Sequence, residues 1–163
     1  MTKAEFQGLF SAEIGGNWRM VMPIAQMVKD LAGWVHRAVN NEIEVVTDDL
    51  TLTEADSGKT YLIGTDAKVI TLPSTFVGQY TFINSGAAGN NIITISPAAA
   101  DGISGTITLA SSVVVDAGVV NKDLINTKST SKAGDCVTLV GTGVAGTTAW
   151  IIKNSTGIWA AEA

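Results

Sequence analysis

The sequence predicts a mainly β protein: a β-sandwich or barrel of jelly-roll-like kind, preceded by an N-terminal arm and one α-helix. Three observations within residues 50–97 carry the β assignment. Four short runs are rich in β-branched and aromatic residues: Thr60–Ile63, Val69–Leu72, Tyr80–Asn84 and Ile92–Ser96. Turn-forming clusters separate them, at Asp56-Ser57-Gly58, Gly64-Thr65-Asp66, Pro73-Ser74 and Ser85 to Asn91. Side chains also alternate. Ile70 and Leu72 fall on the face opposite Val69 and Thr71, and Tyr80, Phe82 and Asn84 oppose Thr81 and Ile83. Short strands at close spacing, punctuated by Gly, Pro, Asn and Asp, are the pattern of sandwiches and barrels.

In chain order, residues 1–17 read as an irregular arm. Phe6, Leu9, Phe10 and Ile14 have the spacing for one or two turns of an amphipathic helix, but Gly8, Gly15 and Gly16 weaken it. Residues 18–40 read as the helix, with Pro23 suited to its first turn. Met20, Ile24, Met27, Leu31 and Trp34 recur at helical spacing. Val21, Ala25, Val28, Ala32 and Val35 form a second row beside them. Together they make a face broader than a two-stranded coiled-coil seam. Such a face needs cover, from the β-part or from a partner chain, and Met20, Ile24, Met27, Leu31 and Trp34 are the candidate interface residues. Asn40-Asn41 suits a helix stop. The chain therefore divides into 1–41, arm and helix, and 42–163, the β-domain.

Glu42-Ile43-Glu44-Val45 alternates like a first strand. Beyond residue 97, Ile107–Leu109, Ser112–Val115, Val137–Val140 and Ala149–Lys153 read as strands, with Ile158-Trp159 closing the domain. Pro97 to Gly102 reads as a loop, and the polar stretch 121–134 as a long exposed one. No repeat of fixed period stands out.

Hydrophobic residues make up 46% and charged residues only 15%, against a usual ~25%. From Val69 to Val115 the one charge is Asp101. Exposed sheet edges normally carry charges that block pairing with other molecules. A long neutral β-region therefore predicts burial, some of it between copies. The net charge of −5 disfavours nucleic-acid binding, which needs clustered Lys and Arg. The acids Glu42, Glu44, Asp48, Asp49, Glu54 and Asp56 crowd one stretch, which reads as a solvated connector or as a face for a basic partner. No apolar run reaches the ~18 residues of a membrane span, and no secretory signal pattern opens the chain. The single Cys136 excludes an intrachain disulfide.

Motifs for chemistry are weak. Gly141-Thr142-Gly143-Val144-Ala145-Gly146 matches G-x-G-x-x-G, but strand-like residues follow where a dinucleotide site needs a helix, so it reads as a hairpin loop. Gly58-Lys59-Thr60 lacks the upstream glycine of a phosphate-binding loop and reads as a turn. One histidine, His36, and one cysteine cannot supply a four-ligand zinc site. A Cys136–His36 nucleophile pair is the sharp alternative to a buried strand cysteine. Trp150 and Trp159 read as core or interface packing rather than a sugar platform. The sequence thus names no catalytic residue, metal or cofactor.

One order of residues adds a resemblance. Leu50-Thr51-Leu52-Thr53 is followed by Asp56-Ser57-Gly58, Ile70-Thr71-Leu72-Pro73, Gly78-x-Tyr80-x-Phe82-x-Asn84, Ile93-Thr94-Ile95, Asp101-Gly102-Ile103 and Gly105. Val137-Thr138-Leu139-Val140, Trp150-Ile151-Ile152 and Gly157-Ile158-Trp159 continue it. Over about residues 50–160 this resembles the β-modules of tailed-bacteriophage virion proteins: capsid decoration (cement) proteins, head fibres and tail fibres. The resemblance implies a non-enzymatic capsid decoration protein. It would assemble as a homotrimer, bind the major capsid protein on the outer shell and contact neither nucleic acid nor membrane. The alternative it implies is a short head-fibre or tail-fibre module that recognises a host surface. Either way the protein would be made in the bacterial cytoplasm and reside on the virion.

Overall fold

Alternation decides which side of each strand is buried. In the computed structural model, which describes residues 42–87 and 89–162, Ile70 and Leu72 are buried while Val69 is exposed. Tyr80, Phe82 and Asn84 are buried, and Thr81 and Ile83 are half-buried. The arm, the helix expected over 18–40 and the candidate interface residues Met20, Ile24, Met27, Leu31 and Trp34 lie outside the described residues, as does His36.

The strands are β1 (Ile43–Val46), β2 (Leu50–Thr51), β3 (Thr60–Ile63), β4 (Lys68–Thr71), β5 (Val77–Asn84) and β6 (Ile93–Ser96). They continue as β7 (Asp101–Thr108), β8 (Val113–Asp116), β9 (Leu124–Asn126), β10 (Cys136–Thr142), β11 (Gly146–Thr156) and β12 (Trp159–Ala161). One short 3-10 turn, Glu54–Asp56, follows β2. The described residues form a seven-stranded sheet, in the order β1-β3-β5-β10-β11-β7-β8, and a five-stranded sheet, β12-β9-β6-β4-β2. A single hydrophobic cluster draws from both. Val46, Tyr61, Ile63, Phe82, Leu139 and Trp150 come from the first sheet, and Ile70, Ile93, Ile95, Leu124 and Trp159 from the second.

The connectivity corrects one expectation. Jelly rolls are built from antiparallel strands. Here the chain alternates between the sheets from β1 to β6, and each return lays a strand parallel to the previous one in its own sheet. Thus β1 pairs with β3 and β3 with β5, while β2 pairs with β4 and β4 with β6, all parallel. This is a flattened coil rather than a jelly roll. The coil then stops. β7 crosses to the far side of the large sheet, and the β10–β11 hairpin fills the space between β5 and β7. β9 joins the small sheet antiparallel to β6, and β12 ends that sheet antiparallel to β9.

Two more expectations change. The stretch 121–134 is not simply an exposed loop: it contains β9, and Leu124, Asn126 and Ser131 are buried. Nor is Pro97 to Gly102 all loop, because β7 starts at Asp101. Asp101 is buried and accepts the Thr75 backbone N–H at 2.7 Å. At Gly102 an added Cβ would come within 2.8 Å of the Thr147 carbonyl and 2.9 Å of the Val119 carbonyl. Only glycine lets those two backbones close in, so a turn-like pair opens a strand.

Candidate interaction surface

The residues singled out for chemistry fall into structural roles. Gly141 to Gly146 links β10 to β11, which pair antiparallel, so the glycine motif is a hairpin connection. Gly58 has φ +90° and sits in the turn that leads into β3. The Lys59 ammonium beside it meets Asp56 at 2.8 Å and Glu44 at 3.1 Å. Burial pulls the Asp56 carboxyl upward, but the Lys59 ammonium and the hydroxyl and N–H of Thr53 outweigh it and hold it below the usual carboxylate range. The acidic stretch is thus partly structural. Asp49 likewise accepts the Val69 N–H at 3.0 Å, and Asp66 accepts the Ile92 N–H and meets Lys128.

Trp150 and Trp159 are both fully buried. Trp150 lies edge-on to Phe76, with centroids 5.8 Å apart, and beside Tyr80 at 5.6 Å. Neither indole offers a face to a sugar. Cys136 is half-buried at the start of β10, and burial pushes its thiol above the ordinary range. A raised thiol holds less thiolate at neutral pH and reacts slowly. Iodoacetamide at pH 8 should therefore label Cys136 more slowly in the native protein than in urea. Equal rates in the two states would mean that the thiol is not shielded. Among the described residues no group of three His, Cys, Asp or Glu side chains is placed to hold a metal ion. No helix among them is long and apolar enough to cross a membrane.

The surface presents a different feature. Most of the neutral stretch 69–115 is spent on the domain's own core, through Ile70, Leu72, Tyr80, Phe82, Ile93, Ile95, Ile103 and Ile107. Its low charge therefore has an internal cause. Val69 and Val77 remain exposed within it, and its end stays outside as a continuous run. β8 is the last strand of the large sheet, and Val113 and Val115 are 64% and 78% exposed. Val119 and Val120 extend the apolar strip beyond Gly118 and are also exposed. At the opposite edge, β1 exposes Ile43 and Val45.

The two edges differ in protection. β1 carries Glu44, next to Glu42, as an edge strand usually does. β8 is Val113-Val114-Val115-Asp116, with no charge before its last residue. Sequence reasoning missed this asymmetry because run-length and charge alone do not say which neutral strand lies at an edge. Ser112 followed by three valines and an aspartate was its only local signal. No family model matches the chain, and no curated protein matches it either.

Proposed function

We propose that the protein is a non-enzymatic virion component, a capsid decoration protein that binds the outer head shell as an oligomer and stabilises it. The observation that carries this reading is the neutral valine edge at β8, an exposed β surface suited to association rather than catalysis. The resemblance of residues 50–160 to phage decoration and fibre modules supplies the setting, the trimer and the partner, the major capsid protein. The proposed mechanism is mechanical: many modest contacts bridge neighbouring shell subunits and resist internal pressure.

Light-scattering mass followed by binding to empty capsids tests it. An oligomer that binds shells supports decoration. A monodisperse monomer at micromolar concentration, or a protein that ignores shells and binds host cells, overturns it in favour of another class, in the second case a fibre.

The arm supplies a second test. Residues 43–161 bring their own shared core, so a chain begun at Glu42 should stay folded yet bind shells weakly. Burying Leu31 and Trp34 on a partner would contribute ~1.5–3 kcal/mol each. The truncation, or Leu31→Ala with Trp34→Ala, should then weaken shell binding roughly a hundredfold or more. A truncated chain that unfolds would assign the helix to the β-domain's core instead. One that binds at full affinity would remove the arm as anchor.

A further inference from the structure

The backbone of β8 points its spare hydrogen bonds outward in a fixed pattern. The hairpin closes with the Leu109 N–H donating to the Ser112 carbonyl at 2.8 Å. Antiparallel ladders alternate hydrogen-bonded and non-hydrogen-bonded pairs. With Ile107 facing Val114 and Gly105 facing Asp116, those two pairs carry the bonds to β7. Val113 and Val115, facing Thr108 and Thr106, belong to the other set. Their N–H and C=O groups therefore point away from β7, and among the described residues no strand lies on that side. Their side chains are also the most exposed on the strand.

We infer that β8 pairs antiparallel with β8 of a second copy about a two-fold axis at Val114. Val113 then faces Val115 of the second copy, and Val115 faces its Val113. Both pairs exchange N–H···O bonds, and four valine side chains meet on one face of a sheet that runs on through both copies. Charge selects this partner. In this register Asp116 faces Ser112, so the one charge on the strand does not meet its own kind.

The other edge fits less well. The Thr60 N–H donates to the Glu42 carbonyl at 2.8 Å, which turns the backbone of Ile43 and Val45 outward on β1. Pairing β1 with itself through those two residues sets Glu44 against Glu44. Pairing β8 with β1 of another copy, Val113 against Val45, sets Asp116 against Glu42. Like charges directly opposite on neighbouring strands are destabilising. Of the large sheet's two edges, in a chain of net charge −5, β8 paired with itself brings two copies together without that penalty. The contact deepens the self-association proposed above but does not depend on shell binding. Being two-fold, it adds to a three-fold assembly by joining copies of neighbouring trimers.

Cross-linking of the full chain, with Cys136 replaced by Ala, tests it. Across the axis the two Val114 Cα atoms would stand about 4.5 Å apart, inside the roughly 4.4–6.8 Å that a disulfide spans. Val114→Cys should form disulfide-linked dimers under mild oxidation, and Val113→Cys alone should form far fewer. Val115→Pro removes an N–H that β7 does not use, so the fold should persist, checked by circular dichroism. The dimer dissociation constant should then rise by about tenfold or more. Val115→Lys should do the same without touching the backbone. If Val114→Cys stays monomeric while Val113→Cys with Val45→Cys cross-links, the edge is used heterologously and the two-fold contact is wrong. It is equally wrong if neither cross-links, or if Val115→Lys leaves the association constant unchanged. A cross-linked dimer that fails to bind empty capsids would overturn the proposed function and leave the β8 contact standing.

Discussion

Replacing Trp150 with alanine should destabilise the β-domain by about 3–5 kcal/mol, the usual range for a fully buried large aromatic. Trp150 is inaccessible to solvent and touches Phe76 and Tyr80 at the centre of the large sheet. Tyr80 in turn lies beside Phe82, and Phe82 stacks on Tyr61 with centroids 5.7 Å apart, so the loss falls on one aromatic row. A domain holds only ~5–15 kcal/mol in total. The midpoint of thermal unfolding should fall on the order of 10–20 °C. Trp150→Phe gives the sharper reading. The indole Nε1 is buried with no hydrogen-bond partner among the described residues, and an unmet donor of that kind costs roughly 1–3 kcal/mol. Phenylalanine removes that donor while leaving a smaller cavity, so the two changes offset. Its unfolding midpoint should lie much closer to that of the parent than to that of the alanine variant. If both substitutions cost the same, packing around the six-membered ring does not hold the site together.

The position of Trp150 in a strand was legible because Trp150-Ile151-Ile152 is apolar and β-prone, and its burial followed from its size. The same local logic located β3, β4, β5, β6 and β10 within a few residues. What it missed is long-range. The parallel coil leaves no fixed period, since Ile43 pairs with Thr60 and Thr60 with Thr81, while Leu50 pairs with Ile70 and Ile70 with Ile95. Turn residues such as Asp56-Ser57-Gly58 suit a hairpin and a crossover equally, so they do not report strand direction. β9 was hidden for a different reason. Leu124-Ile125-Asn126 is short and lies among polar residues, and a buried asparagine is stable only when distant partners supply its hydrogen bonds. Of the candidate surface, the neutrality of 69–115 was visible, but its division between core and edge was set by topology.

Those distant partners make Asn126 the second site of large effect. Four polar residues, Asn84, Asn91, Asn126 and Asp135, are buried together where β5, β9 and the loops after them converge. The Asn84 Nδ2 donates to Asn126 Oδ1 at 2.7 Å. Asn126 Nδ2 donates to Asp135 Oδ2 and to the Ile158 carbonyl, both at 2.9 Å. Asn84 Oδ1 accepts from the Gly86 N–H at 2.9 Å and from Asn91 Nδ2 at 3.0 Å. The Lys132 N–H also reaches Asp135 Oδ2, at 2.9 Å. Glycine at 157, with φ +80°, leaves room for that carboxylate, since a Cβ there would lie 2.0 Å from Asp135 Oδ1. Removing one member strands the groups it served, and each stranded buried group costs ~1–3 kcal/mol. Asn126→Ala should therefore cost about 3–4 kcal/mol, more than the loss of an amide's few contacts. Asn84→Ala should cost a similar amount, because it unmakes the same central bond. The double variant decides whether the four act as a unit. Once Asn126 is gone, the Asn84 Nδ2 has already lost its partner, so deleting Asn84 as well should add little. The double-mutant cycle in urea should show a coupling of at least about 1 kcal/mol, against the ~0.3–0.5 kcal/mol expected of independent sites. Additive losses within that smaller margin would mean that the asparagines are held separately, and that the loop from 127 to 135 is fixed by its backbone turns rather than by Asn126.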